Sequence, residues 1–384
     1  MTEQENNLIA RNEKAMEQLL KDITEAICRY FDKDIRINEY IKLSERLATV
    51  ARVKVEGDGQ IPSSVIVKHE ILKLYPASGA GELTQEFLEE MLAYKFLHTH
   101  AKQFHLIPKV YSFEFYGLAV LEDINPTGIQ HIDTLEVIIR DLSHTLAGLH
   151  ASTIGKYDIY EAMREECMLP SMIMDKRRNS LSSYSTRLRL AVDMLKDYCS
   201  IMGVMIPKAF DVMINEIEMD ITNPGNFYGL IHDDLANGRQ VVRREEKLYL
   251  IDFENSKYSH ILLDICKPLA GKYEIDLNTG YYFLNNPAFP IEFLYRYRSQ
   301  LEKFMGRNYS DIEWQKQFSS ALIYHSLVLI GKMLQVSKDA QLIGNIPSHL
   351  IAIIGRMLYL LKGNDVHRSL LNTFEELVGR MCKG

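Results

Sequence analysis

Two carboxylates stand out by what precedes them in the chain. Leu230 and Ile231 form a short apolar run that leads into His232, Asp233 and Asp234. A second apolar run, Leu248 to Ile251, leads into Asp252 and Phe253. Each pattern sets an aspartate at the end of a strand-like segment. Phosphoryl transfer from a nucleotide uses such a pair. One carboxylate orients the attacking hydroxyl and accepts its proton, and the other holds the magnesium that bridges the phosphates. Asp234 is the candidate base and Asp252 the candidate metal ligand.

These groups need elements to position them, and the periodicities supply candidates. Residues 8–31 carry Leu19, Ile23 and Ile27 at helical spacing. Residues 35–41 and 50–55 read as strands, and Gly57-Asp58-Gly59 as the turn that follows. Ser64 to His69 is a further strand carrying Lys68 near its end. Glu82 to His98 predicts an amphipathic helix with three glutamates, Glu86, Glu89 and Glu90, one of which can hold a lysine in place. Residues 107–111 and 118–124 complete the strand set. From there the pattern is helical: a helix from Thr134 to His150 capped by Asp133, segments between 155 and 225, and the chain from Pro290 onward.

In this order, the motifs resemble those of the protein-kinase fold. The resemblance is closer to aminoglycoside phosphotransferases and choline kinases, which carry H-G-D at the first strand and I-D-F-G or I-D-F/W-E at the second. Here His232-Asp233-Asp234 and Ile251-Asp252-Phe253-Glu254 match, with Asp233 in place of the glycine. The resemblance implies that Lys68 contacts the nucleotide phosphates. The family spacing E-x-x-x-Y then favours Glu90, ahead of Tyr94, as its partner. Glu122, Asp123 and Ile124 correspond to the hinge whose backbone binds the nucleobase. His232 is expected to be buried and to fix the loop carrying Asp234. The Leu146-Ala147-Gly148-Leu149-His150 segment resembles the helix beneath that loop, and His150 there is expected to be packed and hydrogen-bonded. Asp264 corresponds to a structural position.

Two further departures bear on the metal. The family asparagine that helps hold magnesium falls at Arg239, and an arginine cannot ligate a metal. Asn237, two residues earlier, is the alternative ligand. Arg239 is expected either to reach the phosphates itself, or to swing to solvent or pair with Asp233. No G-x-G loop lies between Leu43 and Val55. The resemblance implies an α+β, two-lobed, protein-kinase-like fold. Residues 1–123 form a small N-lobe with an antiparallel sheet, and residues 124–384 a larger, mainly helical C-lobe. It implies ATP and Mg²⁺ as cofactors and a small-molecule hydroxyl acceptor, aminoglycoside-, choline- or sugar-like. The alternative is a non-catalytic, nucleotide- or metabolite-binding pseudokinase.

Composition bounds the rest. With 384 residues, 47% of them hydrophobic and 25% charged, the chain is expected to bury more than one ordinary core. A net charge of −7 argues against a nucleic-acid groove. Five scattered cysteines without a C-x-x-C predict neither disulfides nor zinc, as in a reducing, cytoplasmic setting. The apolar stretch Leu350 to Leu361 is short and interrupted by Arg356, so it predicts a buried helix and not a membrane span.

Overall fold

The computed structural model of the chain describes residues 3–45, 48–59, 61–70, 85–114, 117–126, 135–167, 170–235, 240–275, 282–286, 288–339 and 346–382. The chain divides into two compact units. The first holds Met1–Asp133, Glu166–Met168 and Gln240–Asn255, and the second holds Thr134–Glu165, Leu169–Arg239 and Ser256–Gly384.

In the first unit, helix α1 (Glu3–Phe31) precedes strands β1 (Arg36–Glu45), β2 (Thr49–Glu56) and β3 (Ser64–His69). Helix α2 (Gln85–His100) follows, then β4 (Val110–Glu114) and β5 (Leu118–Glu122). The sheet is antiparallel in the order β1-β2-β3-β5-β4. Leu19, Ile23, Ala26 and Ile27 of α1 form one stripe and pack on Val53, Val55, Val65, Val67, Leu118 and Val120. In each strand these are alternate residues, because successive side chains of a strand point to opposite faces. Each large side chain so buried contributes about 1.5–3 kcal/mol. β4 begins at Val110, later than the expected 107, because Pro108 has no N–H to give a ladder. The stretch 240–255 returns to this unit as a hairpin of Val241–Arg244 and Lys247–Leu250.

The second unit is mainly helical. Its helices are α3 (Leu135–Thr153), α4 (Tyr157–Cys167, of which the second unit holds the part up to Glu165), α5 (Pro170–Ile201), α6 (Phe210–Thr222) and α7 (Leu262–Ala270). They continue with α8 (Glu292–Met305), α9 (Asp311–Asp339), α10 (Ile346–Leu360) and α11 (Arg368–Met381). Tyr228–Ile231 pairs antiparallel with Lys257–His260. Asp133 and Thr134, the expected start of α3, lie outside the described residues. α9 packs on α5, α6, α7 and α10. Its approach to α5 needs a glycine, since a Cβ at Gly331 would fall 2.5 Å from the Cβ of Ala191. The stretch Asp311–Val336 is long and apolar enough to cross a membrane by length and composition, and 67% of that window is buried inside the fold. The expected late buried helix is α10, with Leu350, Ile353, Ile354 and Met357 in the core.

One buried histidine gives the second unit a pH dependence. His260 Nδ1 accepts from the Leu262 N–H at 3.2 Å, and Nε2 lies 2.8 Å from Gln317 Oε1. Burial lowers its imidazole from 6.5 to about 4, despite the Gln317 bond. The unfolded chain therefore takes up a proton that the folded chain refuses. Stability is complete above pH 6.5, falls as pH drops toward 4, and levels off below. Between about pH 7.5 and about pH 5 the loss from this group is about 2 kcal/mol. Urea midpoints at the two pH values should show a shallower difference in His260→Gln. An unchanged difference would remove His260 as the source.

Candidate active site

The sheet face opposite α1 is lined by the residues that alternate with the core set. Val50 and Arg52 of β2, with Ile66 and Lys68 of β3, open onto a cavity of about 380 Å³. Lys68 is buried at the centre of a carboxylate pair. Its Nζ lies 2.7 and 2.8 Å from the two oxygens of Glu90 and 2.7 Å from Asp252 Oδ1. Burial alone would lower the Lys68 ammonium. The Glu90 and Asp252 carboxylates outweigh that and hold it above its ordinary value, so it stays charged. Of the three candidate glutamates, Glu90 is the partner. Glu86 lines the same cavity, and Glu89 is buried elsewhere on the helix.

The backbone at Asp252 is in the left-handed region, with φ +68°. Aspartate tolerates this conformation at a cost of about 1 kcal/mol. Tyr94 holds it there. The Asp252 N–H donates to the Tyr94 hydroxyl at 3.0 Å, and the Tyr94 ring packs edge-on against the buried Phe253 at 5.4 Å. The same hydroxyl hydrogen-bonds Glu90, one helical turn earlier. Tyr94 thus links the Glu90 carboxylate to the Asp252 backbone, the two residues that hold Lys68. In the sequence Tyr94 is only the last position of the E-x-x-x-Y spacing, with no signal of this role.

The Leu121-Glu122-Asp123-Ile124 segment borders the same cavity. Its carboxylates are structural anchors, although the resemblance assigned the work to backbone groups. Asp123 takes the Arg52 guanidinium at 2.7 Å and the Ser64 hydroxyl at 2.7 Å. Arg52 Nη2 also donates to the Asn125 carbonyl at 2.6 Å. Glu122 pairs with Arg244 at 2.7 Å and gives its N–H to the Lys109 carbonyl at 2.8 Å. Ile124 is buried and lines the cavity.

The other motif lies in the second unit. His232 is buried, and its loop is fixed from α7. The Asp264 carboxylate accepts the N–H of His232 at 2.7 Å and of Asp233 at 2.8 Å. It also faces His150 Nε2 at 3.3 Å, whose Nδ1 lies 2.7 Å from the Tyr297 hydroxyl. His150 is thus a packed, hydrogen-bonded core residue, and Asp264 is the clamp of the loop. Asp233 has φ +61°, which explains a glycine preference at this position. Lys257 holds its carboxylate at 2.6 Å, and Lys267 binds both that carboxylate and the Asp233 carbonyl. Burial would raise the Asp233 carboxyl, but Lys267 and Lys257 outweigh it and keep it well below the usual range. Asp234 follows, half-buried. Asn237 and Arg239 lie outside the described residues. The lysine partners of Asp233 carried no sequence signal beyond their charge.

A metal fits this donor set in one way. Among the described residues, no three His, Cys, Asp or Glu side chains converge on a common point. Asp252, with 37% of its side chain exposed, faces the cavity, and Glu254 lines it. That suits magnesium, which keeps several waters and binds through one or two carboxylates plus phosphate oxygens.

No family model matches the chain, and no curated protein matches it. Solved structures similar to it are aminoglycoside phosphotransferases and choline or ethanolamine kinases. The streptomycin–ATP–APH(2'')-IIa complex is 15% identical, covers 85% of this chain and 96% of that one, and has a TM-score of 0.43. A choline/ethanolamine kinase family protein from Mesorhizobium loti is 12% identical, with 90% and 93% covered and a TM-score of 0.41. The ethanolamine kinase of Plasmodium vivax is 14% identical, with 90% and 81% covered and a TM-score of 0.45.

Proposed function

We propose that the chain is a phosphotransferase that passes the γ-phosphate of ATP to a hydroxyl of a small molecule. One observation carries the reading: a buried lysine held by a helix glutamate and a cavity-facing aspartate, at one cavity of about 380 Å³. A bare structural ion pair would need only one carboxylate. Two carboxylates on one ammonium leave one negative charge in excess, which a divalent cation carrying a polyphosphate can answer.

In this reading Lys68 donates to the phosphates, and Glu90 keeps its ammonium aimed. Glu122, Asp123 and Ile124 border the nucleobase. Asp252 would be the main protein ligand of magnesium, and the further group is either Arg239, binding the phosphates, or Asn237, as an oxygen donor to the metal. Bound magnesium would neutralise charge on the transferring phosphoryl group. The acceptor oxygen attacks the γ-phosphorus, and the bond from that phosphorus to the β-bridging oxygen breaks. ADP leaves with the electron pair, and the acceptor proton goes to the Asp234 carboxylate. Asp234 needs position more than basicity, because proton transfer comes late in a loose transition state. His232 and Asp264 keep its loop in place.

The second reading is a nucleotide-binding module without turnover. The aspartate held by two lysines where relatives have glycine favours it. Magnesium-dependent protection by ADP against heat tests nucleotide binding. At ADP about 100-fold above its Kd the protection is about 2.7 kcal/mol. It should disappear in Asp252→Ala. Protection that survives without magnesium and in that variant would sink the assignment of Asp252. Phosphate transfer to an acceptor then separates the two readings.

A further inference from the structure

Cations gather beside the loop that carries Asp234. Lys257 and Lys267 both bind Asp233, so two ammonium groups meet one carboxylate. Lys257 also lies over the Tyr184 ring of α5, 5.1 Å from its centre. Tyr184 packs edge-on at 5.5 Å against Tyr324 of α9. Arg187, on α5, acts on the same tyrosines. Lys332, on α9, has as its charged neighbours Arg187, Lys267, Lys257 and Asp233. Around Lys332, therefore, three cations and one carboxylate gather among the described residues.

A second observation lies in the same patch. The Nε2 of His325 on α9 is buried and has no hydrogen-bond partner among the described residues. Its charged neighbours are Lys267, Asp233 and Lys332. A neutral imidazole nitrogen left unpaired costs desolvation energy until a ligand answers it. An anion would meet both deficits, because charge-assisted bonds to lysine and arginine are the strong ones. Asp233 is the chain neighbour of the proposed base, so a group bound here belongs to the molecule that the base serves.

We propose that the phosphoryl acceptor itself carries a negative charge, a carboxylate or phosphate, which Arg187, Lys257, Lys267 and Lys332 hold while its hydroxyl faces Asp234. His325 completes the set as a hydrogen-bonding partner. This rests on the phosphotransferase reading. A cationic acceptor would meet like charge in this patch, which sets the chain apart from an enzyme for aminoglycosides or choline-like amines.

The test uses the full chain, saturated with ADP and magnesium, at matched ionic strength. Glycerate and glycerol 3-phosphate are the anionic probes, glycerol the neutral one and choline the cationic one. Both anions should raise the thermal midpoint, and glycerol and choline should not. Arg187 and Lys332 are exposed, so Arg187→Glu with Lys332→Glu should fold. That variant should weaken the anionic probes about tenfold or more and leave ADP protection as it was. A shift with choline, no shift with either anion, or an anion effect that survives the double variant would overturn the proposal. So would a loss of ADP protection in the variant, which assigns the cations to the nucleotide's own phosphates. The probes are also run without nucleotide. If wild type shows no ADP protection, the nucleotide reading fails by itself, and the nucleotide-free arm still decides whether the patch binds anions.

Discussion

Lys68→Met is expected to destabilise the protein by about 3–5 kcal/mol and to abolish ADP protection. The reason is the Glu90 carboxylate, whose side chain is 3% exposed and which loses its cation. At about pH 7 it must either stay buried and charged or take up a proton, which from an ordinary value of 4.5 costs about 3 kcal/mol. The loss should therefore shrink as pH falls toward 5, because protonating Glu90 becomes cheaper while Lys68 in the wild type stays charged. Asp252 adds less, since its side chain is 37% exposed and water screens it. A second replacement, Glu90→Leu, then removes the stranded charge. The double variant Lys68→Met/Glu90→Leu should recover most of the stability and none of the ADP protection. Chemical denaturation of the four proteins in the cycle measures this. A double variant no more stable than Lys68→Met would mean that Glu90 is not the residue stranded. Restored ADP protection would remove Lys68 from the nucleotide site.

The second large effect belongs to Asp234. Asp234→Asn should lower kcat for any accepted hydroxyl by about 10²–10⁴-fold, the range that a positioned general base supplies. ADP protection and the thermal midpoint should stay near wild type, because the loop is held by other groups. Asp264 is the contrasting case. It accepts two backbone N–H groups of the loop and faces His150. Asp264→Asn leaves one of these donors facing an amide N–H and should cost about 2–4 kcal/mol as well as turnover. Turnover that survives in Asp234→Asn removes it as the base. A stable, fully active Asp264→Asn would show that the loop needs no clamp.

What the sequence determined by itself is local. The stripe of Leu19, Ile23 and Ile27, the alternation of β2 and the apolar runs ahead of Asp234 and Asp252 follow from two periodicities, which neighbouring residues specify. Lys68 and three glutamates were visible as a lysine in search of a partner, since each lies on a recognisable strand or helix. Which glutamate answers was decided by the tertiary fold. Helix α2 sets Glu90 and Tyr94 on the side that meets Lys68 and Asp252, and Asp252 is 184 residues from Lys68. The return of residues 240–255 to the first unit had no local cause either. It is held by contacts such as the Leu250 N–H to the Leu106 carbonyl at 2.7 Å. Asp233 shows the limit most plainly. Its departure from glycine was readable, and Arg239, which lies outside the described residues, was one of the partners open to it. The described partners are Lys257 and Lys267, ordinary lysines in the sequence. Charge pairs across the fold have no periodicity, so only packing could reveal that these two meet one carboxylate.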